Sequence, residues 1–215
     1  MVYQPKFYYQ RIPISTTSNR VGKVVVRDSF MVSTVAQNGF KLHPIFKTAN
    51  GEELDYVLFS AYEGGLYDTS ASSYITNTDV TVDFNSDKLT SVSGTKPITG
   101  TNGLSLENAE KLANNRGTGW HIYNIAAESA NQFLEIIEFG TMNGQAALGK
   151  GVSSLTTNGS YNQAAITGAT ASLGNTSGQA ASTTIETNGS TSTETADGKS
   201  SISYRGVENP WGNVW

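Results

Sequence analysis

The chain reads as α+β, and three observations carry that assignment. Two stretches, Leu106–Arg116 and Ile125–Phe139, repeat apolar residues at spacings of three and four, which is the mark of an amphipathic helix. Around them lie many short runs rich in Val, Ile, Tyr and Phe and bounded by Gly, Pro or Asn, which read as strands. Between these lie long polar segments, and residues 151–185 contain no charged side chain at all. Two helices among many short strands make an α+β fold.

Val2 to Tyr9 is aromatic-rich and reads as a first strand, with Pro5 placing it at an edge. Val21–Arg27 and Phe30–Val35 are the next strand candidates. Tyr56–Tyr62 (YVLFSAY) has apolar residues on both faces, as an interior strand should, and Glu63-Gly64-Gly65 ends it. Residues 67–104 are polar and are expected to run over the surface, with a short half-exposed strand at Val80–Phe84.

Ser105 is a natural N-cap for the first helix, whose apolar face is Leu106, Ala109, Leu112 and Ala113, with Gly117 beyond its end. Asn124 caps the second, with Ala126, Ala130, Phe133, Leu134 and Ile137 on one face and Gly140 as the stop. Both helices are expected to pack on a small twisted antiparallel sheet that includes the 56–62 strand. Residues 141–178 are expected to form ordered loops pinned by scattered apolar residues. Residues 179–199 have almost no apolar anchor and are expected to be a mobile loop.

A length of 215 residues suits one domain, 1–215. A net charge of −4 argues against nucleic acid as the main partner, since phosphate binding needs clustered Lys and Arg. No apolar run approaches the roughly 18 residues of a membrane helix. The N-terminus lacks the apolar centre of a signal peptide, so synthesis in the cytosol is expected. There is no Cys, which excludes disulfides and thiol chemistry. Charged residues make up only 15% while Gly, Ser, Thr and Asn abound, a composition usual in adhesins and fibres; 21 aromatic residues argue against disorder.

Catalytic constellations are scarce. His43 and His121 are the only histidines, and each reads as structural or surface rather than as part of a triad. No phosphate-cradling glycine motif occurs. Glu52, Glu53 and Asp55 could offer oxygens to Ca²⁺ but read as a solvated turn, so no cofactor is expected. An enzymatic role is therefore not expected.

The C-terminal run Tyr204-Arg205-Gly206-Val207-Glu208-Asn209-Pro210-Trp211-Gly212-Asn213-Val214-Trp215 is neither a good helix nor a uniform strand, because Pro210 and Gly212 interrupt it. It reads as a tight turn presenting large rings, with Arg205 and Glu208 close enough to pair. Two readings stand side by side: a core-closing segment, or a turn whose Trp and Asn line a ligand surface. Trp120 and Trp211 are expected to be mostly core.

That run resembles the end of the C-type-lectin-like fold in its formylglycine-generating-enzyme subtype, and more narrowly a group of phage and prophage tail or fibre proteins. Pro5-Lys6-Phe7-Tyr8-Tyr9, His43-Pro44-Ile45-Phe46, Ala61-Tyr62-Glu63-Gly64, Asn115-Arg116-Gly117-Thr118-Gly119-Trp120 and Ile137-Glu138-Phe139-Gly140 match the same group in the same order. In such proteins a few residues follow the final Trp, so the chain is expected to continue past Trp215. The resemblance implies two helices on small twisted sheets, with a loop-rich half that carries the ligand surface. It implies no catalysis here, because the copper-binding cysteines and the three-His iron site of enzymes with this fold have no counterpart.

The resulting expectation is a phage virion protein, tail or head fibre, that binds a glycan or protein on a bacterial surface. The alternative is a virion structural or decoration protein in which the fold serves assembly only. The expected ligand residues are Tyr161, Asn162, Asn175, Asn209, Trp211 and Asn213, in loops that are uncharged and rich in adaptable donors, as recognition surfaces often are. The expected partners are that surface receptor, other virion proteins and further copies of the chain, with neither nucleic acid nor membrane. Weak single sites of this kind gain useful affinity from several copies on one particle.

Overall fold

The computed structural model describes residues 1–76, 81–99, 103–155 and 163–213. Its architecture is mixed α and β, with three α-helices and several small antiparallel sheets among the described residues. The strands are β1 Val2–Pro5, β2 Tyr8–Asn19, β3 Gly22–Ser33, β4 Lys41–Leu42, β5 Tyr56–Phe59, β6 Gly65–Asp68, β7 Ser73–Ile75, β8 Lys88–Thr90, β9 Gln163–Ala165, β10 Gly178–Gln179, β11 Thr183–Thr187, β12 Ser190–Glu194, β13 Ile202–Tyr204 and β14 Val207–Glu208. The helices are α1 Leu106–Asn114, α2 Ile125–Phe139 and α3 Gly144–Leu148. The chain, read from sequence as one domain, divides into two compact units.

One unit comprises Tyr3–Leu58 and Asn124–Gly144. Its sheet runs β3-β2-β4, and β1 pairs with β5. The core is aromatic: Phe7 lies 5.1 Å from the His43 ring and 5.3 Å from Phe46, while Phe133 meets Tyr9 at 5.0 Å and Phe30 at 5.3 Å, both edge-on. The buried His43 caps the short 3-10 turn Pro44–Phe46, accepting the Ile45 amide at Nδ1, and lies 3.3 Å from Ser129 Oγ through Nε2. Its burial lowers its pKa, because the apolar surroundings disfavour imidazolium.

Helix α2 has the bounds its sequence predicts. The Asn124 side chain accepts the amides of Ala126 and Ala127, and Gly140 ends the helix in the left-handed conformation, φ 65°. The buried face differs, however. It comprises Ala127, Ala130, Asn131, Leu134 and Glu135, so two polar residues sit where an apolar stripe was expected.

The YVLFSAY run also departs from expectation. It is not an interior strand: β5 covers only Tyr56–Phe59, pairs with β1 alone, and leaves Tyr56 and Leu58 each 49% exposed. Both faces are apolar because one of them is exposed surface. Nor do the two helices share a sheet with it, since α1 packs on β8 in the other unit and α2 packs on β3.

The other unit comprises Met1–Val2, Phe59–Tyr123 and Gln145–Trp215. Three small sheets, β7-β6-β8, β12-β11-β9 and β10-β13-β14, make up its regular part. Helix α1 is tied to β8 and the turn before it: Asn115 Nδ2 donates to the carbonyls of Phe84 and Asp87, and Arg116 donates to Leu89 O at 2.8 Å. Leu112 and Ala113 are buried as expected, but Leu106 is exposed.

The described residues of 67–104 are not merely a surface excursion. They supply β6, β7 and β8 and the buried residues Asp87, Thr90, Thr95, Lys96 and Pro97. Thr81–Phe84 is irregular rather than a strand, and Val80 lies outside the described residues. Residues 179–199 form no loop either. They fold into the hairpin β11–β12, whose register Thr187↔Ser190 leaves Asn188 and Gly189 as a two-residue turn with φ 48° and 85°. Ile185 from this hairpin packs with Val152 and Ala165 in a small apolar cluster.

Much of the interior here is polar. Lys96 and Glu186 form an ion pair with side chains 1% and 6% exposed, and Glu186 also accepts the Gly189 amide. Removing one member strands the other charge in a dry environment, whereas replacing both with apolar residues of similar size avoids that cost. Lys96→Met is expected to lose about 3–5 kcal/mol in urea denaturation, and adding Glu186→Leu should recover most of it. Two equally destabilised variants would show that the pair is not coupled.

A second expectation follows from Glu135. Burial, together with the Glu128 and Glu138 carboxylates, raises its pKa. Between the ordinary glutamate pKa and the raised one, the folded chain binds more protons than the unfolded chain. Stability therefore falls as pH rises through that window. Glu135→Gln should be more stable than the wild type at neutral pH, and the difference should shrink as pH falls to about 4. A pH-independent difference would remove the titration from the account.

Candidate functional site

The C-terminal segment organises the loop-rich unit. Strands β13 and β14 pair as Ser203↔Glu208 and Tyr204↔Val207, leaving Arg205 and Gly206 as a two-residue turn with φ 50° and 88°. Positive φ at both positions matches the turn whose twist suits a tight hairpin. The chain then takes left-handed conformations at Asn209, Gly212 and Asn213, with φ 48°, 79° and 61°. Asn tolerates this region better than other side-chain-bearing residues.

Glu208 is buried, and its carboxylate does not pair with Arg205 as expected. It accepts the Gly168 amide at 2.7 Å through Oε1, and the amide and hydroxyl of Thr170 at 2.8 and 2.7 Å through Oε2. Carboxylates bound by several N–H and O–H donors make strong charge-assisted bonds. Arg205 is exposed, with its guanidinium 5.5 Å from the Tyr204 ring centre. The Glu208 amide donates to Ala61 O at 2.8 Å.

The same clamp continues upstream. Thr167 donates from its hydroxyl to the carbonyls of Val92 and Thr95, and its backbone carbonyl accepts the Gly94 amide. Gly168 is held so closely that a Cβ there would lie 1.9 Å from Ser93 Oγ, and its φ of 92° also disfavours any side chain.

A second carboxylate, Glu63, takes the amide groups of both Asn209 and Asn213 on one oxygen, Oε2. Asn213 in turn accepts the Ala165 amide at 2.7 Å and donates its own backbone N–H to Val152 O, beside a parallel bridge between Val152 and Gly212. Asn209 accepts the Ile202 amide at 3.3 Å.

No protein-family model, curated protein or solved structure matches this chain.

The six expected ligand residues fall into four situations. Tyr161 and Asn162 lie outside the described residues. Asn175 is exposed, its Oδ1 2.9 Å from where a Cβ on Gly206 would sit. Asn209 and Asn213 are buried, and their amides are engaged by Glu63 and the backbone, so they hold the fold rather than line an exposed surface. Trp211 is half-buried, with its indole N–H out of solvent and unbonded.

Neither Trp211 nor Trp120 is fully core. Trp120 is half-buried beneath the Arg116 guanidinium, which stacks 4.2 Å from the ring centre.

What the clamp leaves in solvent is a rim. Ala171, Ser172, Gly174, Asn175 and Thr176 are exposed, just beyond the residues that Glu208 grips, and none is charged. Sequence reasoning missed the exposed ring pair Tyr3–Tyr56, 5.0 Å apart, and the pair of half-buried Tyr67 with exposed Tyr74, 5.2 Å apart. Tyr56 was hidden by being read as part of a buried strand, and Tyr3 by being read only as part of an edge strand.

Among the described residues no cluster of three His, Asp or Glu side chains could hold a metal ion, and no helix is long and apolar enough to cross a membrane. His121 is exposed and contacts Glu110 at 2.6 Å, which keeps the Glu110 carboxyl below the ordinary range. Lys6 pairs with Asp55 at 3.0 Å and Glu53 at 3.9 Å in the exposed turn.

Glu208→Gln tests the clamp directly. The variant keeps the shape of the side chain but turns one acceptor into a donor facing bound N–H groups. The expected cost is about 1–3 kcal/mol by chemical denaturation, the usual penalty for a buried donor left unsatisfied. Unchanged stability would show that the loop is held by something else.

Proposed function

We propose that this chain is a receptor-binding module of a phage virion, with a C-type-lectin-like fold, that attaches the particle to a glycan or protein on a bacterial surface. The observation that carries the reading is the uncharged rim at 171–176, which follows directly on Gly168 and Thr170, the two residues that the buried Glu208 carboxylate binds. Backbone fixed in this way presents its polar groups with little ordering left to lose on binding, which favours affinity. Uncharged Ser, Thr, Asn and Gly offer many weak hydrogen bonds and little long-range steering. Tyr161, about ten positions earlier in the sequence, is the residue whose ring this reading assigns to stacking on a sugar or inserting into a protein groove.

The reading assigns the domain no reaction and no cofactor. It takes recognition to be multivalent, with several copies on one particle raising a weak single-site affinity. The resemblance in the terminal run and in five upstream segments supports the fold and the virion setting.

A second reading, a virion structural or decoration protein, is favoured by one feature, the exposed distal half of the β2–β3 hairpin. Adsorption of labelled protein to a panel of bacterial strains separates the two. The comparison is with variants that replace 171–176 or carry Tyr161→Ala, keep Glu208, and retain the wild-type circular dichroism. At least tenfold weaker adsorption by the rim variant is expected. Undiminished adsorption would eliminate this rim, and no adsorption by the wild type to any strain would leave the structural reading.

A further inference from the structure

The hairpin β2–β3 is exposed to an extent that its sequence does not explain. Each strand has 12 residues, paired from Tyr8↔Ser33 to Asn19↔Gly22 with a bulge near Ser15. Near its base it packs against α2, through Tyr9 and Phe30 on Phe133. Farther out, residues 11–27 are exposed except for Ser15, which is half-buried. This distal arm extends for about 25 Å at the usual strand rise.

Consecutive residues on a strand point to opposite faces. Val24, Val25 and Val26 are 43%, 36% and 60% exposed, so neither face of the arm is covered. Strand β3 is also the edge of its sheet. A two-stranded ribbon alone in water is marginal, and apolar β-branched residues on an open edge invite pairing.

Charge indicates what covers the arm. Residues 8–33 hold four of the 14 basic side chains and one of the 18 acidic ones, giving +3 against −7 for the rest of the chain. In the same unit, α2 offers half-buried Glu128 and exposed Glu138 and no basic residue, its third acid, Glu135, being buried. A groove of about 440 Å³ lies beside the arm, lined in part by Val25, Val26, Phe30, Ile137 and Met142. Asp28 also lines it, and one of its oxygens, Oδ1, is buried without a hydrogen-bond partner.

We propose that this arm is a self-association surface, covered by a second copy of this chain. The copy supplies what the arm lacks: apolar cover for Val24–Val26 and an acidic surface for Arg20, Lys23 and Arg27. A matching contact made reciprocally would close as a two-fold dimer, the commonest symmetric arrangement. The inference gives a physical basis to the multivalent reading above, on which it rests only for its biological purpose. It is tested without any host cell, so either can fail alone.

The experiment is sedimentation equilibrium of the full chain at low and high salt. The wild type should associate, more weakly at high salt because the attraction is partly electrostatic. Val24→Thr/Val26→Thr, which keeps β-branched residues, and Arg20→Glu/Lys23→Glu should each raise the dissociation constant at least tenfold. A wild type that stays monomeric to about 100 µM, a weak limit on the affinity scale, would overturn the proposal. So would folded variants that associate as well as the wild type.

Because the chain has no cysteine, Val24→Cys offers a check that barely perturbs the arm. It should form a disulfide-linked dimer on mild oxidation, whereas exposed Ser172→Cys should not. Equal cross-linking from both positions would also overturn the proposal. An arm that instead binds other virion proteins or bacterial cells while the chain remains monomeric would reject a second copy as its occupant.

Discussion

The Glu208 carboxylate is the acceptor on which the loop-rich unit depends. That unit has little regular ladder, so many backbone N–H groups have no strand or helix partner of their own. Buried N–H groups left unbonded would cost more than the small margin by which a domain is stable. Glu208 supplies acceptors for Gly168 and Thr170, Glu63 for the side chains of Asn209 and Asn213, and Asn213 for Ala165. Thr167 and Thr95 do the same between two further loops. The irregular chain is held by side chains in the place a sheet would give to backbone pairing.

The two units therefore cohere by different means. In the one that contains α2, ring-on-ring packing of Phe7, Phe46, Tyr9, Phe30 and Phe133 supplies the core. In the other, a small apolar cluster of Val152, Ala165 and Ile185 is accompanied by a buried ion pair, Lys96–Glu186, with side chains 1% and 6% exposed. Apolar packing tolerates changes of shape at modest cost. A polar interior does not, because each half-broken bond leaves a charge or donor in the dry.

What the sequence made legible were the features set by near neighbours. Helix α2 was readable to its last residue because its signals are local: the Asn124 cap, the 3.6-residue period and the Gly140 stop. The hairpin β11–β12 had a local sign too, Asn188-Gly189 between Thr-rich runs, but its weak apolar content obscured it. The buried polar residues carried no such sign. Asn209 and Asn213 lie 146 and 150 positions from Glu63, and nothing nearby marks them as interior. Asn and Trp in a Gly-containing turn look the same whether they face a ligand or close a core. The same difficulty misplaced Tyr56–Tyr62, where apolar residues on both faces fit a buried strand and equally an exposed ribbon with Tyr3 beside it.

The clamp also separates stability from surface. At Gly168 and Thr170 the donors to Glu208 are mainly backbone amides, with the Thr170 hydroxyl as the only side-chain contribution. The residues that follow, 171–176, make no call on that carboxylate and lie mostly in solvent. Their side chains can change while the two amides stay bound, so the path of the loop persists when its chemistry varies. Gly168 cannot vary in that way, since Ser93 fills the space a Cβ would need. Exposed residues that follow two amides fixed by one buried carboxylate can be replaced without releasing that anchor.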